Sequence, residues 1–296
     1  MKRLLSIVFL IVLSAACQKP HVHPTGKPRV VTSIPPYIYI VNEIVGDTME
    51  VSCALGDNFN LHTSEVTPKH LKATKGADLF VGVGEAYEKR LISAVNQGET
   101  KTLFLNLNKK IPLLQFSQST SFIDACHDAK SHIHHSEDLH FWLGPQSLIK
   151  QIPILVQNLA MISPENGELY KKNGDLLIER IRVLNNELKI PLTPYKGRAI
   201  IVSHPALGYF CEEYDIKQIS VECEGKDPLP KDISHIVHRA ESSSAICVFI
   251  SPHFNNKGAE LIAKKLNLRV EVFNPLAENP LETIIEVSKA ILKEVP

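Results

Sequence analysis

Histidine is the residue type in this sequence with the clearest capacity for chemistry. The chain of 296 residues contains 13 histidines, and five of them fall between His127 and His140, in the stretch CHDAKSHIHHSEDLHFWLGP. A folded core needs few imidazoles, and a solvated loop is more often built from lysine and glutamate. Neutral imidazole is a common ligand of transition metals in proteins. The density of histidines in this segment therefore predicts contact with a metal ion.

The five histidines fall into two groups. His140 precedes Phe141, Trp142 and Leu143, and this apolar run should hold it against packed structure. The other four lie in a polar stretch without apolar periodicity, which we interpret as an auxiliary metal-gathering loop; a loop with no role in metal handling is the alternative. These four are His127, His132, His134 and His135.

Two further histidines follow segments that are typical of β-strands. His62 comes after a predicted strand over 49–55, and His204 comes directly after one over 199–202. Ligands of open α/β sheets bind at the carboxyl ends of the strands, so both positions suit a binding residue. One such histidine alone would more often be a hydrogen-bonded structural residue. Together with His140, however, the two favour one shared metal site.

The elements that must position these histidines alternate between strands and helices. Such alternation predicts an α/β fold, here two (β/α) sandwich lobes with mainly parallel sheets. We place the N-terminal lobe at 29–162 and the C-terminal lobe at 191–296. Short strands are predicted over 29–33, 49–55, 79–83, 102–105, 199–202, 218–221, 245–250 and 269–273, with helices between them.

One long rigid linker helix is predicted between the lobes, over 163–190. Ser163 is a natural N-cap, and Pro164 fits the first helical position. At about 1.5 Å per residue this helix would reach roughly 40 Å, enough to span both lobes. Its apolar stripe, at spacings of three, four or seven residues, is formed by Tyr170, Leu177, Ile181, Leu184 and Leu188.

The N-terminal segment has the pattern of an export signal. Two basic residues precede an apolar run over 4–13, which is too short to cross a membrane permanently, so 1–16 is predicted to be a signal peptide. The small residues before Cys17 resemble a bacterial lipobox, which predicts lipidation of that thiol and a membrane anchor. Ordinary cleavage is the alternative. Residues 17–28 have the composition of a flexible tether.

Export also bears on the other cysteines of the chain, which has 6 in total. An oxidising compartment permits a disulfide between Cys211 and Cys223, which flank a predicted strand. Buried free thiols are the alternative.

The composition argues against two other classes of protein, those that bind nucleic acid and those that are disordered. With 32 basic and 32 acidic residues, the chain offers no electrostatic footprint for nucleic acid. Its hydrophobic content of 44% argues against disorder.

Three short motifs together resemble one known family, the metal-binding receptors of bacterial ATP-driven zinc and manganese importers. The motifs are LHTSEVTP at His62, DLHFWLGP at His140 and SHPALGYF at His204, in the order that the family has. The resemblance covers nearly the whole chain after the tether. It implies that these histidines bind the metal in a cleft between two lobes. It also implies a monomeric extracytoplasmic receptor, not an enzyme, that delivers its metal to an ABC transporter permease.

The resemblance leaves the fourth ligand open. The family commonly has an aspartate where VEVFNPLAEN places Asn274. Water, the carbonyl of Asn274, or an acid of VECEGKDP, where Glu222 and Glu224 follow a strand, are the candidates. Three neutral imidazoles with at most one oxygen suit tetrahedral Zn²⁺, whereas Mn²⁺ favours more carboxylate oxygens. Zinc is therefore favoured, and a manganese- or iron-selective receptor of the same family is the alternative.

A secreted zinc hydrolase is the alternative from another class, because three histidines and a water also form catalytic zinc sites. The motifs argue against it. The sequence has no HExxH, and His132 to His135 lack the following Asp-His of a metallo-hydrolase cluster. A surface adhesin is a third alternative, and it predicts binding to host material that does not depend on the three histidines.

Overall fold

The computed structural model describes residues 26–55, 66–95, 102–115, 122–123, 137–222, 228–252 and 254–293, with the backbone alone at 122–123. The predictions for the other residues stay predictions. They concern the signal peptide, Cys17, most of the tether, His62, the four histidines of the auxiliary loop, Cys223 and Glu224.

Strands and helices alternate over most of the described residues, as predicted, except from β4 to α5, where four strands are followed by two helices. The strands are β1 (Arg29–Thr32), β2 (Glu50–Cys53), β3 (Leu79–Gly82), β4 (Leu103–Asn106), β5 (Leu114–Gln115), β6 (Phe122–Ile123), β7 (Glu137–Asp138), β8 (Ala199–Val202), β9 (Lys217–Ser220), β10 (Val248–Ile250) and β11 (Val270–Val272). The helices are α1 (Pro36–Val45), α2 (Pro68–Thr74), α3 (Ala86–Val95), α4 (Pro145–Ile162), α5 (Gly167–Leu192), α6 (Gly208–Tyr214), α7 (Pro230–Ser242), α8 (Lys257–Leu266) and α9 (Pro280–Leu292).

The first sheet has the strand order β2-β1-β3-β4, and all its pairings are parallel. Val30 of β1 aligns with Val51 on one side and Leu79 on the other. Every residue of β3 is buried, as expected for a parallel strand covered on both faces. This lobe matches the predicted α/β pattern.

The second sheet has the order β11-β10-β8-β9-β6 and is also parallel. Its outer strand β6 comes from a segment that the sequence places in the first lobe, so the chain crosses between the lobes before the linker helix. The strand β8, which precedes His204, lies in the middle of this sheet. A short antiparallel pair, β5 with β7, leads to His140.

The long linker helix is present as α5, with 26 residues, but its ends differ from the predicted ones. A 3-10 turn over Pro164–Asn166 precedes it, because the Ser163 hydroxyl donates to the Glu165 side chain rather than capping a helix. At the other end the helix includes Pro191, since a proline in the last turn removes only one hydrogen-bond donor. The helix packs against α1, α4 and α9 and therefore contacts both lobes.

Helix α4, with 18 residues, was not predicted from the sequence, and it packs along α5. Gly174 of α5 allows this close approach. A methyl group there would lie 2.7 Å from Cγ2 of Val156 and 3.2 Å from Cγ2 of Ile152, both on α4.

The larger apolar core of the described residues runs through both lobes. It joins Val31 of β1, Ile181 of α5 and Phe249 of β10 in one cluster of contacts. A smaller cluster, which includes Ile201 and Ile236, belongs to the second lobe alone. Because opening the lobes would expose shared apolar surface, the connection between them is stiff.

Cys53, Cys211 and Cys247 are free thiols. Burial strongly raises the pKa of the Cys211 thiol, which keeps it in the protonated, unreactive form. Cys211 is thus a free, buried thiol in the described structure, and Cys223 lies outside the described residues. Separately, none of the helices described is long and apolar enough to cross a membrane.

Candidate metal site

Two of the predicted ligands, His140 and His204, meet between the lobes. His204 follows the end of β8, and His140 follows the short strand β7 and opens a 3-10 turn over Phe141–Leu143. Each side chain is almost fully buried, with 6% of the residue exposed. His204 thus follows a strand end, as predicted, and His140 is held against packed structure by the buried run Phe141–Leu143, also as predicted.

The Nε2 atoms of His140 and His204 lie 3.3 Å apart. Two nitrogens bound to one tetrahedral zinc ion at 2.0–2.1 Å would be separated by about 3.3–3.4 Å. The two rings are inclined at 71°, so the Nε2 atoms meet without the rings stacking on each other. The spacing therefore matches one edge of a zinc tetrahedron.

A buried carboxylate holds the other ring nitrogen of His140. The Nδ1 atom lies 2.8 Å from Oδ1 of Asp138, and the same oxygen accepts the backbone N–H of His140 at 2.8 Å. Asp138 is only 1% exposed. These two bonds fix the direction in which the imidazole points.

His204 has an equivalent partner in Glu222. Its Nδ1 atom lies 2.7 Å from Oε2 of that carboxylate. The ring of Phe254 also stacks on the imidazole, with ring centroids 4.0 Å apart and an interplanar angle of 6°. The His204 ring is thus held at one edge and on one face.

These carboxylates set the tautomers of both histidines. A carboxylate beside Nδ1 accepts the N–H there, so the Nε2 of each neutral ring carries a lone pair. Two lone pairs that face each other at 3.3 Å repel unless a cation lies between them. The arrangement therefore suits a shared cation, either a metal ion or a proton.

The pKa values of the two histidines shift in opposite directions. Burial, followed by the nearby His140, lowers the pKa of His204 well below its ordinary value of 6.5. Burial alone would also lower the pKa of His140, but the hydrogen bond and charge of Asp138 outweigh it and raise that pKa. Of the two rings, His140 therefore takes up a proton more readily than His204.

Several contacts anchor the first lobe's side of the site. The indole Nε1–H of Trp142 donates to the carbonyl of Pro275 at 2.7 Å, which connects the two lobes beside the histidines. The Tyr209 hydroxyl donates to the Asp138 carbonyl at 3.0 Å and accepts the Leu114 N–H at 3.0 Å.

Gly208, at the start of α6, leaves room for the Asp138 carboxylate. A methyl group at this position would overlap Oδ2 of that carboxylate. The glycine of the SHPALGYF motif is therefore needed for a close approach, and it ties the position of Asp138 to the second lobe.

Asn274 is half-buried in the loop after β11. Its Oδ1 atom accepts the backbone N–H of Leu276 at 2.9 Å, so this oxygen already stabilises the turn. Glu222, the other described candidate for the fourth ligand, uses Oε2 to hold His204.

Sequence reasoning missed two buried carboxylates, Glu85 and Glu88. Burial raises the pKa of Glu85 to about 7, and the nearby His140 acts in the opposite direction. Glu88 accepts the backbone N–H groups of Val83 and Gly84, each at 2.9 Å. Both glutamates line a cavity of about 420 Å³ beside Leu139. Their position after the end of β3 was a usable signal, because it follows the rule that identified the histidines.

One other histidine has a structural role. His70 accepts the backbone N–H of Thr67 at its Nδ1, at 3.1 Å, and so completes the capping box of α2. Across the residues that the structure describes, no group of three or more His, Cys, Asp or Glu side chains meets the geometry of a metal site. The described part of the site thus consists of His140, His204 and their carboxylates.

Comparison with known proteins identifies the family. A family model described as ZnuA, the periplasmic component A of a zinc-uptake complex, matches residues 30–294. A protein of Chlamydia muridarum, whose assigned name only proposes metal binding, is 28% identical over 90% of this chain and 91% of its own. The high-affinity zinc uptake system protein ZnuA of Bacillus subtilis is 26% identical over 84% of this chain and 79% of its own.

Solved structures share the two-lobed fold. A crystal structure of a ZnuA deletion mutant with zinc bound has a TM-score of 0.78 at 26% identity, covering 91% of this chain and 100% of that one. The Mn²⁺ complex of FpvC from Pseudomonas aeruginosa has a TM-score of 0.72 at 19% identity, covering 90% and 98%, and shows the fold alone.

These findings confirm the receptor class that the three motifs predicted and exclude the hydrolase alternative. The match extends over almost the whole chain, including both lobes and the linker helix. This protein therefore belongs to the ZnuA family of periplasmic metal-binding receptors of ABC importers, which are solute-binding proteins and not enzymes.

Proposed function

We propose that this protein captures Zn²⁺ with high affinity in the cleft between its lobes and delivers it to the permease of an ABC importer. The observation that carries the proposal is the pair of Nε2 atoms 3.3 Å apart, each on a ring backed by a carboxylate. This pair supplies two neutral, preoriented nitrogen ligands at the spacing that tetrahedral zinc requires.

His62 is the proposed third ligand. It lies outside the described residues, but the segment that contains it follows β2, which is next to β1 in the first sheet. The LHTSEVTP motif supports this assignment through the resemblance to the family.

Water is our preferred fourth ligand, with Asn274, Glu222 and Glu224 as the alternatives. Oδ1 of Asn274 accepts the N–H of Leu276 and Oε2 of Glu222 holds His204, and a water ligand would leave both contacts undisturbed. Glu224 lies outside the described residues. A site of three imidazoles and a water has few oxygen donors, which favours Zn²⁺ over Mn²⁺.

The remaining parts of the proposal rest on the sequence. We propose that Cys17 carries a lipid that anchors a monomeric receptor to the extracytoplasmic face of a membrane. The histidines of the auxiliary loop, at positions 127, 132, 134 and 135, would gather zinc weakly and pass it to the main site.

Competitive zinc titration of the purified mature chain tests the proposal. His140→Ala and His204→Ala should each weaken zinc binding by at least about 100-fold, because each removes a ligand as well as its bond to a carboxylate. His238→Ala is the matched control, since this histidine is exposed on α7, away from the site. Tight zinc binding by the His140→Ala, His204→Ala double variant would show that the site is wrong.

A further inference from the structure

We infer that Phe254 is a positioning residue for the metal, and that its stack on His204 sets how tightly and how long zinc is held. The inference rests on the proposed function, because it concerns the same site. The two rings are almost parallel, at 6°, and their centroids are 4.0 Å apart, which places one face of the imidazole directly against the phenyl ring.

The second sheet brings Phe254 to this position. Strand β10 pairs with β8, with Val248 aligned to Ile201 and Phe249 to Val202, so the two strands end side by side. His204 follows the end of β8 and Phe254 follows the end of β10. The stack is therefore a consequence of strand order.

The turn that contains Phe254 is clamped at its base. Nδ2 of Asn256 donates to the Ser251 carbonyl at 2.9 Å, and its Oδ1 accepts the Ser251 N–H at 3.3 Å. The N–H of Phe254 also donates to the Ser251 carbonyl, at 3.3 Å. A clamped turn limits the movement of the phenyl ring away from the imidazole.

The phenyl ring adds a constraint that the carboxylate does not provide. Glu222 fixes the Nδ1 edge of the His204 ring, but one hydrogen bond leaves the ring able to rock about the axis of that bond. Contact over a whole face opposes this rocking. Together, the two contacts keep Nε2 directed at His140.

The stack should be stronger when metal is bound. A divalent ion withdraws electron density from the imidazole, and an electron-poor ring above a phenyl face gains a cation–π component. His140 has a weaker version of this arrangement, because its neighbour Trp142 is tilted by 52° with centroids 5.3 Å apart. Phe254 therefore stabilises the loaded state more than the empty state.

Three substitutions separate the stack from simple packing. Phe254→Leu and Phe254→Met keep an apolar side chain but remove the aromatic face, whereas Phe254→Tyr keeps it. We expect both aliphatic variants to bind zinc about 2- to 12-fold more weakly, with a correspondingly faster release into excess chelator. Phe254→Tyr should remain within twofold of wild type.

The absorption spectrum of the Co²⁺-loaded protein provides a readout that packing alone would not move. We expect its visible bands to shift in the aliphatic variants and to return in Phe254→Tyr. Leu261→Ala, an exposed apolar truncation on α8 of the same lobe, should leave both affinity and spectrum unchanged. If either aliphatic variant folds, as judged by its melting temperature, and has wild-type affinity and spectrum, the role of Phe254 is refuted. Equal loss in Phe254→Tyr would also refute it. A wild-type chain that fails to bind zinc would instead refute the proposed function.

Discussion

A single methyl group at Gly208 should weaken the metal site from the opposite lobe. In Gly208→Ala the new carbon would overlap Oδ2 of Asp138, a residue that is 1% exposed and has little space to retreat. To regain a normal contact distance, the carboxylate must move by about 1 Å. Its 2.8 Å bond to Nδ1 of His140 would then exceed the length of a hydrogen bond.

The size of the effect follows from the contact that is lost. Removing a carboxylate that orients a ligand histidine typically costs 10- to 100-fold in metal affinity, or about 1.4–2.8 kcal/mol. We therefore expect competitive titration to give a zinc Kd 10- to 100-fold weaker in Gly208→Ala. Overpacking should also lower the stability of the metal-free protein by about 1–3 kcal/mol.

A matched control and a double variant test the cause. Gly167→Ala on α5 should leave zinc binding unchanged, because its methyl group would lie 3.6 Å from the Ala160 side chain, an ordinary contact. In an Asp138→Ala background, Gly208→Ala should weaken zinc binding no further, since the clash is gone. Wild-type affinity in Gly208→Ala, or full additivity of the two changes, would contradict the proposed coupling.

Three further outcomes are expected. Zinc affinity should fall on acidification, starting above pH 6.5, because the pKa of His140 is raised. Calorimetry in buffers of different ionisation enthalpy should then show that zinc binding releases protons, and pH-independent affinity between pH 5 and 8 would contradict this. Asn274→Asp should raise the affinity for Mn²⁺ relative to Zn²⁺ in a two-metal competition, because it offers a carboxylate oxygen. An unchanged ratio of the two affinities would show that the side chain at position 274 does not contact the metal. Gly174→Ala should lower the free energy of unfolding in urea by about 1–3 kcal/mol, because the new methyl group would lie too close to Val156, and it should leave the zinc Kd unchanged. A changed Kd would mean that the packing of α5 affects the metal site.

Local sequence patterns were sufficient for most of the fold. The strands at 29–33 and 199–202 are short runs rich in β-branched residues and are bounded by turn residues, and such runs carry their own signal. Helix α4 was not predicted because Pro153 lies in its interior and its polar positions weaken the helical periodicity of its apolar residues. The pairing of β6 with β9 was also missed, since two residues carry no strand pattern and their partner lies far along the chain.

The candidate site, too, could be predicted from the sequence only in part. The position of His204 after the end of β8 could be predicted, whereas the short antiparallel pair β5 and β7 that brings His140 to it could not. The carboxylates that orient them could be anticipated in kind, but Asp138 and Glu222 could not be assigned to these roles, because a bond to Nδ1 depends on side-chain direction. Phe254 had no signal at all, since stacking requires the order of strands in the sheet.

The outer strand of the second sheet has a consequence for how the chain folds. Phe122 of β6 aligns with Gln218 of β9, 96 positions further along the chain, so the second sheet cannot be completed until both halves of the protein are present. Pairing across such a distance raises the contact order and slows folding. We therefore expect that the two lobes do not fold independently of each other. A fragment ending at the linker helix would leave β6 without its partner, and we expect it to aggregate rather than form a stable N-terminal lobe.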